Sequence, residues 1–101
     1  MDYVALLRFR SAATTAERDA ALARRAGWQY PAGVRLIAEY WPMAADVQVV
    51  SIVNTDDPAT MFEFVLEWSD VFDIDIHPAL SAEDGLRVGS EIYGRLTRLQ
   101  Q

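Results

Sequence analysis

Four segments of this chain alternate apolar and polar side chains with a period of two, and two capped helical segments fall between them in an order that leaves few folds open. Residues 2–10 put Tyr3, Ala5, Leu7 and Phe9 on one side and Val4, Leu6, Arg8 and Arg10 on the other, which is the pattern of a strand. The alternation returns from Val34 to Trp41, from Val47 to Asn54 and from Val71 to His77, where Pro78 ends it. Only residues 42–46 separate the middle pair, so these two strands form an antiparallel hairpin. Thr14-Thr15-Ala16-Glu17 offers a capping box for a first helix that Gly27 stops. Asp57-Pro58 starts a second, whose apolar stripe is Met61, Phe62, Phe64, Val65 and Trp68.

The resulting order, β-α-β-β-α-β, predicts an α+β fold of the ferredoxin-like type, with a four-stranded antiparallel sheet in the order 4-1-3-2. Right-handed crossovers place both helices on one face of that sheet. The helix-facing set is then Tyr3, Ala5, Leu7, Phe9, Val34, Leu36, Ala38, Tyr40, Val47, Val49, Val53, Phe72, Ile74 and Ile76, with Ser51 the one polar member. A third N-cap at Ser81, followed by Leu86, Ile92, Leu96 and Leu99, predicts a C-terminal helix, weakened by Gly85, Gly89 and Gly94. At 101 residues the chain is the size of one domain, 1–101, with a core in 1–80 and a helical extension in 81–101.

The other face of the sheet is not that of a solvated monomer. It carries Val4, Leu6, Ile37, Val50 and Ile52 near its centre, ringed by Arg8, Arg10, Arg35, Glu39, Trp41, Gln48, Asp73, Asp75 and His77. Each branched aliphatic side chain left in water forgoes ~1.5–3 kcal/mol of burial, and five together invite association. The covers available are a second copy of the sheet, giving a dimeric α/β barrel, or the C-terminal helix folded back. The second copy is favoured, because two-fold homodimers are the commonest assembly. Such a barrel encloses ligand space between sheet and helices or between the two sheets.

A net charge of −6 repels phosphate backbones and anionic lipid, which argues against nucleic acid and membrane as partners. The chain has no cysteine, so disulfides, zinc ribbons, iron–sulfur clusters and thiol nucleophiles are excluded. No cofactor is implied, and the cytoplasm is the expected compartment.

Asp73-x-Asp75-x-His77 is the most suggestive local arrangement, because the strand period sets all three side chains on one face at Cα spacings of about 6.6–7 Å. The three also serve as edge charges that discourage aggregation, or as one wall of a polar ligand pocket. Asp75 and His77 would need a third ligand such as Glu39 to hold a metal ion. His77, the only histidine, is the default general acid–base if the protein is an enzyme. Arg8 lies across from Asp73, either as a cross-strand ion pair or as a fork for a carboxylate or phosphate. Trp41 can line a pocket or close the dimer, Trp28 and Tyr30 suit a pocket rim, and Trp68 belongs to the core.

Pro31-Ala32-Gly33-Val34, Tyr40-Trp41, Trp68-Ser69-Asp70 and a strand ending at His77-Pro78 together resemble a family of small bacterial domains of unknown function in the dimeric α/β-barrel superfamily. The likeness covers roughly residues 1–80. It implies the dimeric barrel, in a superfamily that holds cofactor-free monooxygenases, haem-degrading enzymes, small-molecule isomerases, dehalogenases and members without known activity. Two readings follow. In one, Arg8, Glu39, Trp41, Asp73 and Asp75 bind a small molecule with His77 beside them as a catalytic candidate; in the other, the chain is a non-catalytic homodimeric structural or regulatory module.

Overall fold

A computed structural model describes residues 1–100; Gln101, at the end of the predicted extension, lies outside the described residues. The elements run β1 (Asp2–Phe9), α1 (Thr15–Gly27), β2 (Arg35–Tyr40), β3 (Val49–Asn54), α2 (Pro58–Trp68), β4 (Phe72–Ala79) and α3 (Ala82–Leu99). All strand pairs are antiparallel, in the order β2-β3-β1-β4. This is the predicted 4-1-3-2 order of the ferredoxin-like α+β fold.

The caps form as the residue types dictate. Thr14 Oγ1 accepts from the Glu17 amide at 3.1 Å while the Glu17 carboxylate accepts from the Thr14 amide, and Asp57 Oδ1 accepts from the Ala59 amide at 3.0 Å. Pro31 to Val34 close a turn through a 3.0 Å hydrogen bond, with Gly33 at φ +89° in the third position, where only glycine is free of strain. Ala5 and Leu7 from β1, Ala21 from α1, Phe64 and Trp68 from α2, and Val71 and Phe72 form the core between sheet and helices.

Several details differ from the sequence reading. Gly27 is the last residue of α1 rather than its stop, since the chain leaves through Trp28 in an extended conformation. β4 runs through Pro78 to Ala79, which an edge strand permits because its outward N–H needs no partner. Phe62, assigned to the apolar stripe of α2, is 65% exposed, while Met61, Phe64 and Trp68 are buried.

The largest departure lies in β2. Leu36 pairs with Val53, but Ala38 rather than Ile37 pairs with Ile52, so one extra residue is inserted between them. A bulge of this kind reverses the facing of everything after it. Glu39 stands opposite Ser51 and Tyr40 opposite Val50, which moves Glu39 to the helix side and puts Ala38 and Tyr40 on the outer face. The regular alternation through β2 had assigned them the other way round.

On the outer face Val4 stands between Ile52 and His77, Leu6 between Val50 and Asp75, and Arg8 opposite Asp73. Val4, Leu6, Val50 and Ile52 are only half-buried. Helix α3 does not cover them. None of its residues is buried, Leu86, Ile92, Leu96 and Leu99 are exposed, and it gives the chain a long dimension of 63 Å. The radius of gyration is 17.6 Å, against about 13 Å for a compact chain of this length.

Candidate functional site

Between the sheet and the two helices lies a cleft of about 240 Å³. Its walls are Leu7 and Phe9 from β1, Trp28 from the loop after α1, Phe64 and Trp68 from α2, and Phe72 from β4. The aromatic side chains brace one another: Trp28 meets Phe64 and Trp68 edge-on at centroid distances of 5.8 and 5.4 Å, and Phe9 stacks on Phe72 at 4.8 Å. Such contacts hold rings in fixed orientations and keep a cleft open. All three tryptophans of the chain, Trp28, Trp41 and Trp68, line it. The exposed lining residues Arg18, Leu22 and Trp41 mark its mouth.

One end of the cleft is polar and closed by a clasp around Glu39. Arg25 of α1 donates to it in a bidentate fork, Nη2 to Oε1 at 2.9 Å and Nε to Oε2 at 3.1 Å. Trp41 Nε1 donates to Oε2 at 2.8 Å, and the Tyr30 hydroxyl donates to Oε1. Tyr30 Oη also lies 2.6 Å from Ser51 Oγ, and Ser51 is fully buried. The clasp thus ties α1, the loop after it, β2 and β3 together. It exists because the bulge in β2 carries Glu39 across to the helix side.

Glu39 is 11% exposed. Burial works against its charge, but the hydrogen bonds from Arg25, Tyr30 and Trp41 outweigh this and hold the carboxyl below its ordinary range. The Arg25 guanidinium is held above its usual value by its hydrogen bonds to Glu39. Burial and the neighbouring carboxylate push the Tyr30 hydroxyl well above the usual phenol range. At neutral pH the clasp is therefore a carboxylate, a guanidinium and a neutral phenol.

A stability difference with pH follows. Because the folded-state value of Glu39 lies below that of an unfolded glutamate, about 4.3, its contribution is present above that pH and lost as the pH falls through the folded value. Thermal melts between pH 7 and 3 are expected to show an acid-induced loss that is smaller in Glu39→Gln, which cannot titrate there. An equal acid dependence in both proteins would show that the clasp is not ionised as described.

The residues singled out from sequence divide between the two faces. Glu39 and Trp41 line the helix-side cleft, where the sequence reading had placed them on the outer face. Arg8, Asp73, Asp75 and His77 lie on the outer face. There Arg8 Nη2 bonds Asp75 Oδ2 at 2.6 Å, diagonally rather than to Asp73 directly across. Glu39 is on the opposite side of the sheet from Asp75 and His77, so it is not available to them as a third metal ligand. His77 is exposed. Among the described residues no group of three or more His, Cys, Asp or Glu is placed to hold a metal ion.

Arg18, Arg25 and Ser51 were missed as site residues. Ser51 carried a signal, as the one polar residue in an otherwise apolar inward set. The two arginines carried none, being at helix positions where an exposed charge is ordinary.

Fold and site together define a ferredoxin-like α+β protein with an aromatic cleft under its helices. Over residues 1–93 the chain matches the family described as "Domain of unknown function (DUF3303)", and it belongs to that family. No curated protein matches the chain. Among the described residues no helix is long and apolar enough to cross a membrane.

Proposed function

We propose that this protein binds a small, largely apolar molecule in the helix-side cleft and works as a homodimer of the dimeric α/β-barrel type, in the cytoplasm. The observation that carries the binding reading is the cleft itself: about 240 Å³, walled by aromatic side chains, with its few polar groups gathered at one end. Ligand sites combine these features, an apolar wall for affinity and a small number of fixed polar groups for orientation.

Binding is better supported than turnover. Glu39 already accepts four hydrogen bonds, which suits an anchor and not a base awaiting a proton. Any reaction of cofactor-free monooxygenase or isomerase type would fall to Tyr30 and Glu39 in the cleft wall, because His77 lies on the other side of the sheet. The dimer is supported by the apolar outer face and by its mixed charges, with Arg8 beside Asp73 and Asp75 on one side and Arg35 on the opposite edge strand, which a two-fold axis can bring into opposition.

The three indole N–H signals in a proton–nitrogen correlation spectrum test the binding reading, since all three tryptophans line the cleft. Screening small aromatic and aliphatic fragments is expected to move the signals of Trp28, Trp41 and Trp68 together for those that bind. A library that leaves all three signals in place at millimolar concentration overturns the reading.

A further inference from the structure

Arg18 is the one charged group at the cleft that the clasp does not use. It sits on α1 at the mouth, its guanidinium carbon 4.9 Å from the centre of the Phe9 ring. Among the described residues its guanidinium makes neither an ion pair nor a hydrogen bond, whereas Arg24 and Arg25 on the same helix are bound to Asp70 and Glu39. The charges lining the cleft are Arg18, Arg25 and Glu39. The last two neutralise each other, which leaves a net positive lining on a chain whose overall charge is −6. A cation kept free at the mouth of an apolar cleft, in a protein that is acidic elsewhere, is suited to an anionic group on the ligand.

The size of the cleft narrows the remainder. A dry cavity of about 150 Å³ takes one benzene ring, so about 240 Å³ takes one substituted ring or two fused rings. The aromatic side chains that line the cleft, Trp28, Phe64 and Trp68 among them, favour an aromatic ligand over a branched aliphatic one.

We propose that the ligand is a flat aromatic molecule of one or two rings bearing a single acidic group, its rings against the aromatic wall and its acidic group at the mouth on Arg18. This rests on the reading of the cleft as a binding site. It adds a ligand class and a residue that selects it.

Matched probes separate the two claims. The purified protein is titrated with 2-naphthoate and with 2-naphthalenemethanol, which share the ring system and differ in charge, and the tryptophan indole signals locate the binding. The carboxylate is expected to bind about tenfold more tightly, the scale of one charge-assisted hydrogen bond. In Arg18→Gln that preference is expected to vanish while the alcohol binds unchanged, and in Arg18→Glu it is expected to reverse. Arg18 is exposed, so these variants leave the core intact. Equal binding of the two probes by the wild-type protein, or a preference that survives Arg18→Gln, overturns the acidic-ligand proposal and leaves the cleft reading standing. Failure of both probes to move any indole signal overturns the proposal and counts against the cleft reading as well.

Discussion

Glu39→Ala is expected to lower the thermal midpoint by roughly 10–20 °C in a melt followed by circular dichroism. Breaking a buried ion pair by removing one partner costs about 3–5 kcal/mol, because the other charge is left without a counterpart. Arg25 retains partial access to water, 29% exposed, so about 2–3 kcal/mol is the appropriate range. For a domain of this size each kcal/mol moves the midpoint by about 4–8 °C. The loss exceeds that of a surface ion pair because four donors lose one acceptor: two N–H groups of Arg25, the Tyr30 hydroxyl and the Trp41 indole. Trp41→Phe removes only one of these contacts and is expected to cost about 1 kcal/mol. A shift below about 4 °C for Glu39→Ala would mean that water replaces the clasp without penalty.

Leu6→Asp is expected to convert the proposed dimer to a monomer in native mass spectrometry and size-exclusion chromatography at micromolar concentration. Leu6 lies at the centre of the outer face, between Val50 and Asp75. A carboxylate there would be desolvated beside another carboxylate, at a cost of several kcal/mol. A two-fold interface contains the substitution twice, so the two penalties together weaken association by more than about 10⁴-fold. Leu66→Asp provides the contrast, since Leu66 is 61% exposed on the far side of α2 and its replacement leaves the outer face untouched. A far-ultraviolet spectrum confirms that the Leu6→Asp chain remains folded. A wild-type chain that is monomeric at these concentrations would remove the dimer from consideration.

The topology was legible because each element announces itself locally. Alternation marks β1, β3 and β4, Thr14 and Asp57 cap the helices, the element order then gives the sheet order, and handedness puts both helices on one face. The site was legible only in pieces. Leu36, Ala38 and Tyr40 alternate as well as any true inward set, so nothing in the letters reveals that the chain gains a residue at Ile37. Only the pairing with Val53 and Ile52 on the neighbouring strand shows it, and such pairing is a long-range property. The assignment of Glu39 and Trp41 to the same face as Arg8, Asp75 and His77 failed for that one reason. Ser51 was the available warning, since a buried hydroxyl needs a partner, and Tyr30 supplies it. Arg18 and Arg25 become distinctive only once the helix is packed and one is seen to be paired while the other is not.

The bulge also gives β2 one residue of slack. Deleting Ile37 would restore an unbroken ladder with Leu36 opposite Val53, Ala38 opposite Ile52 and Glu39 still opposite Ser51. A deletion between Glu39 and Trp41 has no such reserve and would separate the carboxylate from its indole. The strand can therefore lose length at one point without rewiring the cleft, and the tolerance of this segment to insertions and deletions is set by where the spare residue sits.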